Sequence, residues 1–229
     1  MADQPQTAMD DAAIGGFQEV VSDWSDDREV FKNVPWGKVM MWIFLLSDTF
    51  VFGTFLTGYM TARMSTTVAW PNPSEVFALT VGGTTLPLLL IAIMTFVLIS
   101  SSGTMAMAVN FGYRGNKKVA GWLMVATALL GATFVGMQMF EWSKLIEDGV
   151  RPWANPFGAS QFGASFFMIT GFHGLHVSAG VIYLLVVATK VLRGNYDRTG
   201  NYGIVEIAGL YWHFVDLVWV FIFAFFYLW

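Results

Sequence analysis

Six ionisable side chains occur inside long apolar segments of this 229-residue sequence, where they could support chemistry. They are Asp48, Glu141, His173, His176, His213 and Asp216. Each is costly in hydrocarbon, by about 2.5–3.5 kcal/mol for an Asp at a helix centre. A helical rise of about 1.5 Å per residue predicts that five of them share one central layer of a membrane, with Glu141 nearer the outer face.

The spacing of these residues predicts which of them share a helix face. His173 and His176 are three residues apart, on the same face as Gly180, whose missing side chain lets another helix approach. His213 and Asp216 have the same spacing. The pattern suits an Asp–His hydrogen bond between helices, and it also suits a metal or haem ligand set. Because His-x-x-His is a short and weak motif, hydrogen bonding between helices is favoured.

Asp48 is the acidic residue of the first apolar segment. Its neighbours Leu45, Leu46, Phe52 and Phe55 are all apolar. A carboxyl in such surroundings predicts a proton-handling group or an anchor for a bound polar head group. Glu141, close to a predicted interface, is expected to pair with a neighbouring helix instead.

The composition limits the class of protein and the chemistry of its sites. Only 12% of the residues are charged, whereas a soluble domain has about 25%. The chain has no cysteine, which excludes disulfides, iron–sulfur clusters and thiolate metal sites. Its three histidines are too few for a haem-plus-copper centre. No basic block that would bind nucleic acid is present, and the acidic start of the chain is not that of a cleaved signal peptide.

Five apolar spans indicate an all-α, polytopic membrane helical bundle with five transmembrane helices in one domain, residues 38–229. The spans are roughly 38–61, 79–109, 119–146, 160–192 and 204–229. The second and fourth exceed the roughly 20 residues needed to cross a bilayer, so tilt or helical extensions are expected. Residues 1–37 hold eight of the sixteen acidic residues and are predicted to form a flexible or surface-lying cytoplasmic tail. The C-terminal run FIFAFFYLW is expected to be a lipid- and helix-facing surface.

The basic residues predict the orientation of these spans. Nine of the twelve Lys and Arg residues fall on one side, which leaves Arg63, Lys144 and Arg151 for the other. The positive-inside rule then places the N-terminus in the cytoplasm and the C-terminus outside.

Several segments resemble subunit III of haem–copper terminal oxidases. FFMITGFHGLHVSAGVIYLL (166–185) and VEIAGLYWHFVDLVWVFIFAFFYL (205–228) are similar to the two signature stretches of that family. WIFLLSDTFVFGTF (42–55) resembles its segment with an intramembrane carboxylate, and LISSSGTMAMA (98–108) and LGATFVGMQMFEW (130–142) resemble its next two helices. The resemblance covers about residues 36–229, without the acidic tail. Five helices match the short bacterial form, and Asp48 stands where mitochondrial-type members have a glutamate.

The resemblance implies a non-redox accessory subunit in a bacterial inner membrane. Such a subunit packs beside catalytic subunit I, with subunit II and small subunits in the same complex. It has no haem or copper of its own, holds phospholipids in a cleft between its helices, and supports proton uptake while O2 is reduced to water.

The resemblance also implies roles for individual residues, none of them catalytic and none a metal ligand. Asp48 corresponds to the intramembrane carboxyl group of the family, which is related to protons or lipids. Trp212 and His213 are expected near lipid head groups. The polar helix-interface or lipid-related set is Glu141, His173, His176, Glu206, Trp212, His213 and Asp216.

Three other functions stay open at this point. An accessory protein of nitric oxide reductases shares the family's fold. A self-contained membrane metalloenzyme could use His173, His176, His213 and Asp216 as ligands, since bundle cores build metal sites from such pairs. A transporter coupled to protons through Asp48 is disfavoured, because no internal repeat is evident.

Overall fold

The described part of the chain leaves out both ends and two short internal segments. The computed structural model describes the backbone of residues 34–81, 84–196 and 202–228, and the side chains of those residues except 79–87. The predicted tail, residues 1–37, therefore lies almost entirely outside the described residues.

The described residues form five long helices, and each is long and apolar enough to cross a membrane. They are α1 (Trp36–Ser65), α3 (Leu89–Tyr113), α4 (Lys117–Glu147), α5 (Ser160–Leu192) and α6 (Gly203–Phe223). A π-helical turn, Ala224–Leu228, continues α6. The short helix α2 (Pro73–Val76) and the strands β1 (Ala78–Val81) and β2 (Thr84–Pro87) lie between α1 and α3. The predicted helical class and the five membrane-spanning helices are confirmed.

The second span differs from its predicted length. Residues 79–109 were expected to be one apolar span, but β1 and β2 pair as an antiparallel hairpin, with Ala78 opposite Pro87 and Val81 opposite Thr84. In the sequence a Gly-Gly pair separates two segments that contain β-branched residues, which is typical of a hairpin. The helix begins only at Leu89, so α3 has 25 residues and needs no extension to span.

The chain divides into two units between Leu46 and Ser47. In the first unit, the described residues 34–46 contain the start of α1. There the Pro35 carbonyl accepts from the backbone N–H groups of Lys38 and Val39, at 2.9 and 3.3 Å. A proline is well suited to this position, because the first N–H groups of a helix have no partner within it.

The second unit is a four-helix arrangement with the rest of α1 beside it. Helices α3, α4, α5 and α6 pack in a ring in which each helix contacts the next and α6 contacts α3. The part of α1 after Ser47 contacts α5 through Phe52 and Phe172, whose ring centroids are 5.5 Å apart. It contacts the π-helical turn through Tyr59 and Phe226, at 4.1 Å.

The centre of the ring is occupied by Trp212 of α6, which is fully buried. Its indole N–H donates to the Ser101 hydroxyl of α3 at 2.9 Å. A Cβ atom at Gly180 of α5 would lie 3.1 Å from the Trp212 ring, and one at Gly131 of α4 would lie closer still. The two glycines therefore give the indole the space in which it packs.

Replacing Gly131 by Ala should destabilise the protein. The added methyl group collides with Trp212, and such overpacking costs about 1–3 kcal/mol. Gly136→Ala is the matched control, because that residue of α4 is exposed and nothing lies within 4 Å of the added Cβ. The control should gain up to about 1 kcal/mol of helix propensity. Thermal unfolding in mild detergent measures both, and equal melting temperatures would contradict the packing role of Gly131.

Candidate functional site

A polar pair joins α1 to α5 in the interior of the second unit. His176 Nε2 lies 3.1 Å from Asp48 Oδ2, and the side chains are only 16% and 9% exposed. His176 Nδ1 lies 2.8 Å from the backbone carbonyl of Phe172. The Tyr211 hydroxyl of α6 donates to the carbonyl of His176 at 2.9 Å. Three helices are thus connected at one residue of α5.

These contacts define how many protons the pair holds. A carbonyl can only accept, so Nδ1 of His176 carries a hydrogen. The approach of Nε2 to Asp48 then requires one more proton, on either the imidazole or the carboxyl. The contact has an ion-pair distance, but Oδ2 has no well-aligned hydrogen bond. In both forms the pair carries a single transferable proton and no net charge.

Aromatic rings surround this pair. The rings of Phe52 and Phe172 lie 5.5 and 4.8 Å from the His176 ring. Phe55 contacts Phe172 edge-on at 5.3 Å. In such apolar surroundings a charge on only one partner would be poorly solvated, so the two groups stabilise each other.

His173 does not join His176, although the two share a helix face. It is fully buried, stacked on Trp219 at 5.5 Å and edge-on to Phe134 at 6.0 Å. Neither ring nitrogen has a hydrogen-bond partner among the described residues, and the same holds for the side-chain amide of the buried Gln138. His173 is therefore part of an aromatic core.

Glu141 forms a second buried carboxyl site, near the end of α4. The Tyr227 hydroxyl lies 3.1 and 3.2 Å from the two carboxylate oxygens. Lys144 is one turn further along and donates to the Ala78 carbonyl. Glu141 and Lys144 also line a cavity of about 10 Å³, the space of roughly one water molecule. Glu141 was expected to pair with a neighbouring helix, and its contact Tyr227 lies in the π-helical turn that continues α6.

A third polar group lies between α3 and α6. His213 Nδ1 is 2.6 Å from the Ser102 hydroxyl, and Ser102 also hydrogen-bonds Asp216. All three residues are half-buried. The interhelical Asp–His contact suggested by the sequence therefore exists, but it joins Asp48 to His176, while His213 binds a serine.

Two members of the predicted set lie elsewhere. Glu206 is in the first turn of α6, where it hydrogen-bonds the Tyr113 hydroxyl. Trp212, which was assigned to helix interfaces or lipid head groups, is buried in the centre of the ring and donates its indole N–H to Ser101 of α3.

The proposed metal-ligand set is not assembled by this geometry. His173 lies among aromatic rings, His176 contacts Asp48, and His213 contacts Ser102. Within residues 34–81, 84–196 and 202–228, no three His, Cys, Asp or Glu residues are placed to hold a metal ion. Two of the three histidines instead contact polar side chains of neighbouring helices.

The sequence matches the family model described as cytochrome c oxidase subunit III over residues 19–229. The chain belongs to this family. Subunit III members similar to it include two proteins named "Probable quinol oxidase subunit 3". The one from Staphylococcus aureus is 34% identical over 188 residues, covering 82% of this chain and 86% of that protein. The one from Staphylococcus saprophyticus is 34% identical over 190 residues, with the same coverage.

Membership establishes the general role. This subunit III chain is a multi-pass membrane protein and an accessory subunit of an oxidase. The match begins at residue 19, so the expectation that the whole acidic tail lies outside the resemblance is wrong for residues 19–35.

Sequence reasoning missed the aromatic donors of this subunit III. Trp212, Trp219 and Tyr227 are seven and eight residues apart, and they donate to Ser101, Thr95 and Glu141 respectively. The C-terminal aromatic run was expected to face lipid and other helices, and in it Phe226 and Tyr227 are buried while Phe221 and Leu228 are exposed. The spacing of Trp212, Trp219 and Tyr227, close to two helical turns, was the sequence signal that could have identified them as one buried face.

Replacing Tyr227 by Phe should destabilise subunit III, because it removes a donor from the buried Glu141 carboxyl. Leaving a buried polar group without its partner costs about 1–3 kcal/mol. Tyr183→Phe is the control, since it removes a hydroxyl from a half-buried tyrosine of α5. Thermal unfolding should also show that Glu141→Gln reduces the effect of Tyr227→Phe. Equal effects of the two Tyr→Phe changes would argue against the Glu141–Tyr227 interaction.

Proposed function

We propose that the chain is the non-redox subunit III of a haem–copper respiratory terminal oxidase, where it stabilises the catalytic subunit and supports proton uptake during reduction of O2 to water. The observation that supports the proton-related part is the Asp48–His176 pair, in which a carboxyl group and an imidazole of two helices lie 3.1 Å apart in apolar surroundings. Family membership supports the oxidase part.

In this proposal the redox chemistry takes place in other subunits. Haem and copper belong to the partner subunits, and this chain packs directly on subunit I, in a complex with subunit II and small subunits. Phospholipids cover its exposed apolar helix faces, on which Phe50, Phe96 and Leu129 are more than 60% exposed. The role of the chain is to hold a proton and to exclude water at the Asp48–His176 pair.

The proposed location is a bacterial inner membrane, with the N-terminus in the cytoplasm. The contact of Val205 with Gly112 places the loops after α3 and α5 at one end of the bundle, and the hydrogen bond from Ala159 to Ala69 places the other loops together. The first end has the larger number of basic residues, which supports this orientation. They are Arg114, Lys117, Lys118, Lys190 and Arg193.

The absence of cysteine from the sequence makes the orientation directly measurable. A membrane-impermeant maleimide should label Asn195→Cys only after the cytoplasmic face is opened, and Asp148→Cys in intact spheroplasts. Both residues are exposed in described loops. The wild-type chain gives the background, and the reverse labelling pattern would invert the topology.

Replacing Asp48 by Asn tests the proton-holding pair within the complete oxidase. Because haem and copper belong to the partner subunits in this proposal, the haem spectrum and the initial rate should be close to wild type. The amide cannot take up or release the proton, so the active lifetime during turnover should become shorter. Asp48→Glu keeps the carboxyl and should retain most of the lifetime. O2 consumption by the purified complex, followed over repeated turnovers with both a quinol and reduced cytochrome c, provides the measurement.

Other results would overturn the proposal. Loss of haem or copper with Asp48→Asn would assign a cofactor-related role to this residue. An unchanged lifetime would remove the proton-holding role. A complex that reduces nitric oxide instead of O2 would replace the oxidase by the nitric oxide reductase alternative.

A further inference from the structure

The interface between α4 and α5 contains buried polar atoms that have no partner among the described residues. They are the side-chain nitrogen and oxygen of Gln138 and the two ring nitrogens of His173. Gln138 is only 4% exposed, and His173 is fully buried. Buried polar side chains of folded proteins almost always have a hydrogen-bond partner, which is either another protein group or an ordered water molecule. The four atoms therefore need a physical explanation.

Contacts between the two helices place these atoms at the same level of the bundle. Neighbouring helices joined by a short loop run antiparallel, as α4 and α5 do. Phe134, one turn before Gln138 on α4, contacts the His173 ring edge-on at 6.0 Å. Trp142, one turn after Gln138, lies over Gly171 of α5, where an added Cβ atom would be 3.1 Å from its ring. Gln138 lies between these two contacts, so its amide is close to the stretch of α5 that contains His173.

The backbone of α5 leaves space in the same stretch. Gly174 follows His173 and is half-buried. Nothing among the described residues lies within 4 Å of a Cβ atom placed on Gly174, whereas the same atom on Gly171 would meet Trp142. A bound water molecule needs a small space and two to four polar partners. Space and partners thus occur together beside Gly174.

We propose that Gln138 and His173 bind an ordered water molecule between α4 and α5, beside Gly174. Water both donates and accepts hydrogen bonds, and so do the amide of Gln138 and a neutral imidazole. Glu141 and His176 each follow three residues later, on the same helix faces. The water therefore forms a polar contact between α4 and α5 in the region between the two buried carboxyl sites.

Other occupants fit this position less well. A lipid tail has no donor or acceptor for the Gln138 amide. Neither Gln138 nor a neutral His173 supplies the negative charge that a cation prefers. No three His, Cys, Asp or Glu residues in the described part of the chain are placed to hold a metal ion. The inference involves only α4 and α5 of this chain, so it does not depend on the proposed function.

Cryo-electron microscopy of the wild-type chain tests the site directly. The full chain is studied in nanodiscs, with any subunits that co-purify, at a resolution that shows ordered water. A density peak is expected at about 2.7–3.2 Å from the Gln138 amide and from one ring nitrogen of His173. A map without this peak, or one in which the Gln138 amide bonds a protein or lipid group instead, would overturn the proposal.

Nuclear magnetic resonance of the ¹⁵N-glutamine-labelled chain in nanodiscs provides a second test. Magnetisation should pass from water to the side-chain amide of Gln138, whose signal is identified by its loss in Gln138→Leu. Gln161 is exposed at the start of α5, so its amide is the positive control. Transfer to Gln161 without transfer to Gln138 would contradict a bound water.

Substitution of Gly174 tests the location of the water. Gly174→Val keeps Gln138 but fills the space beside it, so transfer from water to the Gln138 amide should be lost. Gly136→Val is the matched control, because Gly136 is exposed on α4 with no described atom within 4 Å of an added Cβ. That variant should retain the transfer. Retention of the transfer in Gly174→Val, or an equal loss in both variants, would show that the site is not beside Gly174.

Discussion

A polar side chain inside a membrane helix needs a protein partner, because lipid tails offer none, and this constraint organises the second unit. Helix α6 and the π-helical turn supply donors from Trp212, Trp219 and Tyr227 to groups on α3 and α4. Single hydrogen bonds between membrane helices contribute only about 0.6 kcal/mol on average. The contacts therefore select the rotation and register of the helices more than they add to stability.

The same constraint explains how a carboxyl group is accommodated in the interior. Asp48 and His176 come from different helices, and the Phe172 carbonyl orients the imidazole so that Nε2 faces the carboxyl. Together they are neutral in either protonation form, so the apolar rings around them are tolerated. Each of the two groups therefore supplies the polar partner that the other needs.

Carboxyl groups inside the bundle find polar partners on other helices of the same chain. Asp48 contacts His176, and Glu141 receives the Tyr227 hydroxyl. Asp216 is half-buried and hydrogen-bonds Ser102 of α3. These polar positions are thus completed by the packing of the helices.

The sequence by itself determined the membrane class, the number of helices able to cross a membrane and the family, because hydropathy and motif spacing depend only on the order of residues along the chain. His173 and His176 show the limit of this information. Their spacing placed them on one face, but only the packing of Phe134, Trp219 and α1 decided that one enters an aromatic core and the other meets Asp48. Spacing along a helix cannot specify which neighbour packs against each part of a face. That choice depends on how the helices rotate against one another, and it is made only when the tertiary structure forms.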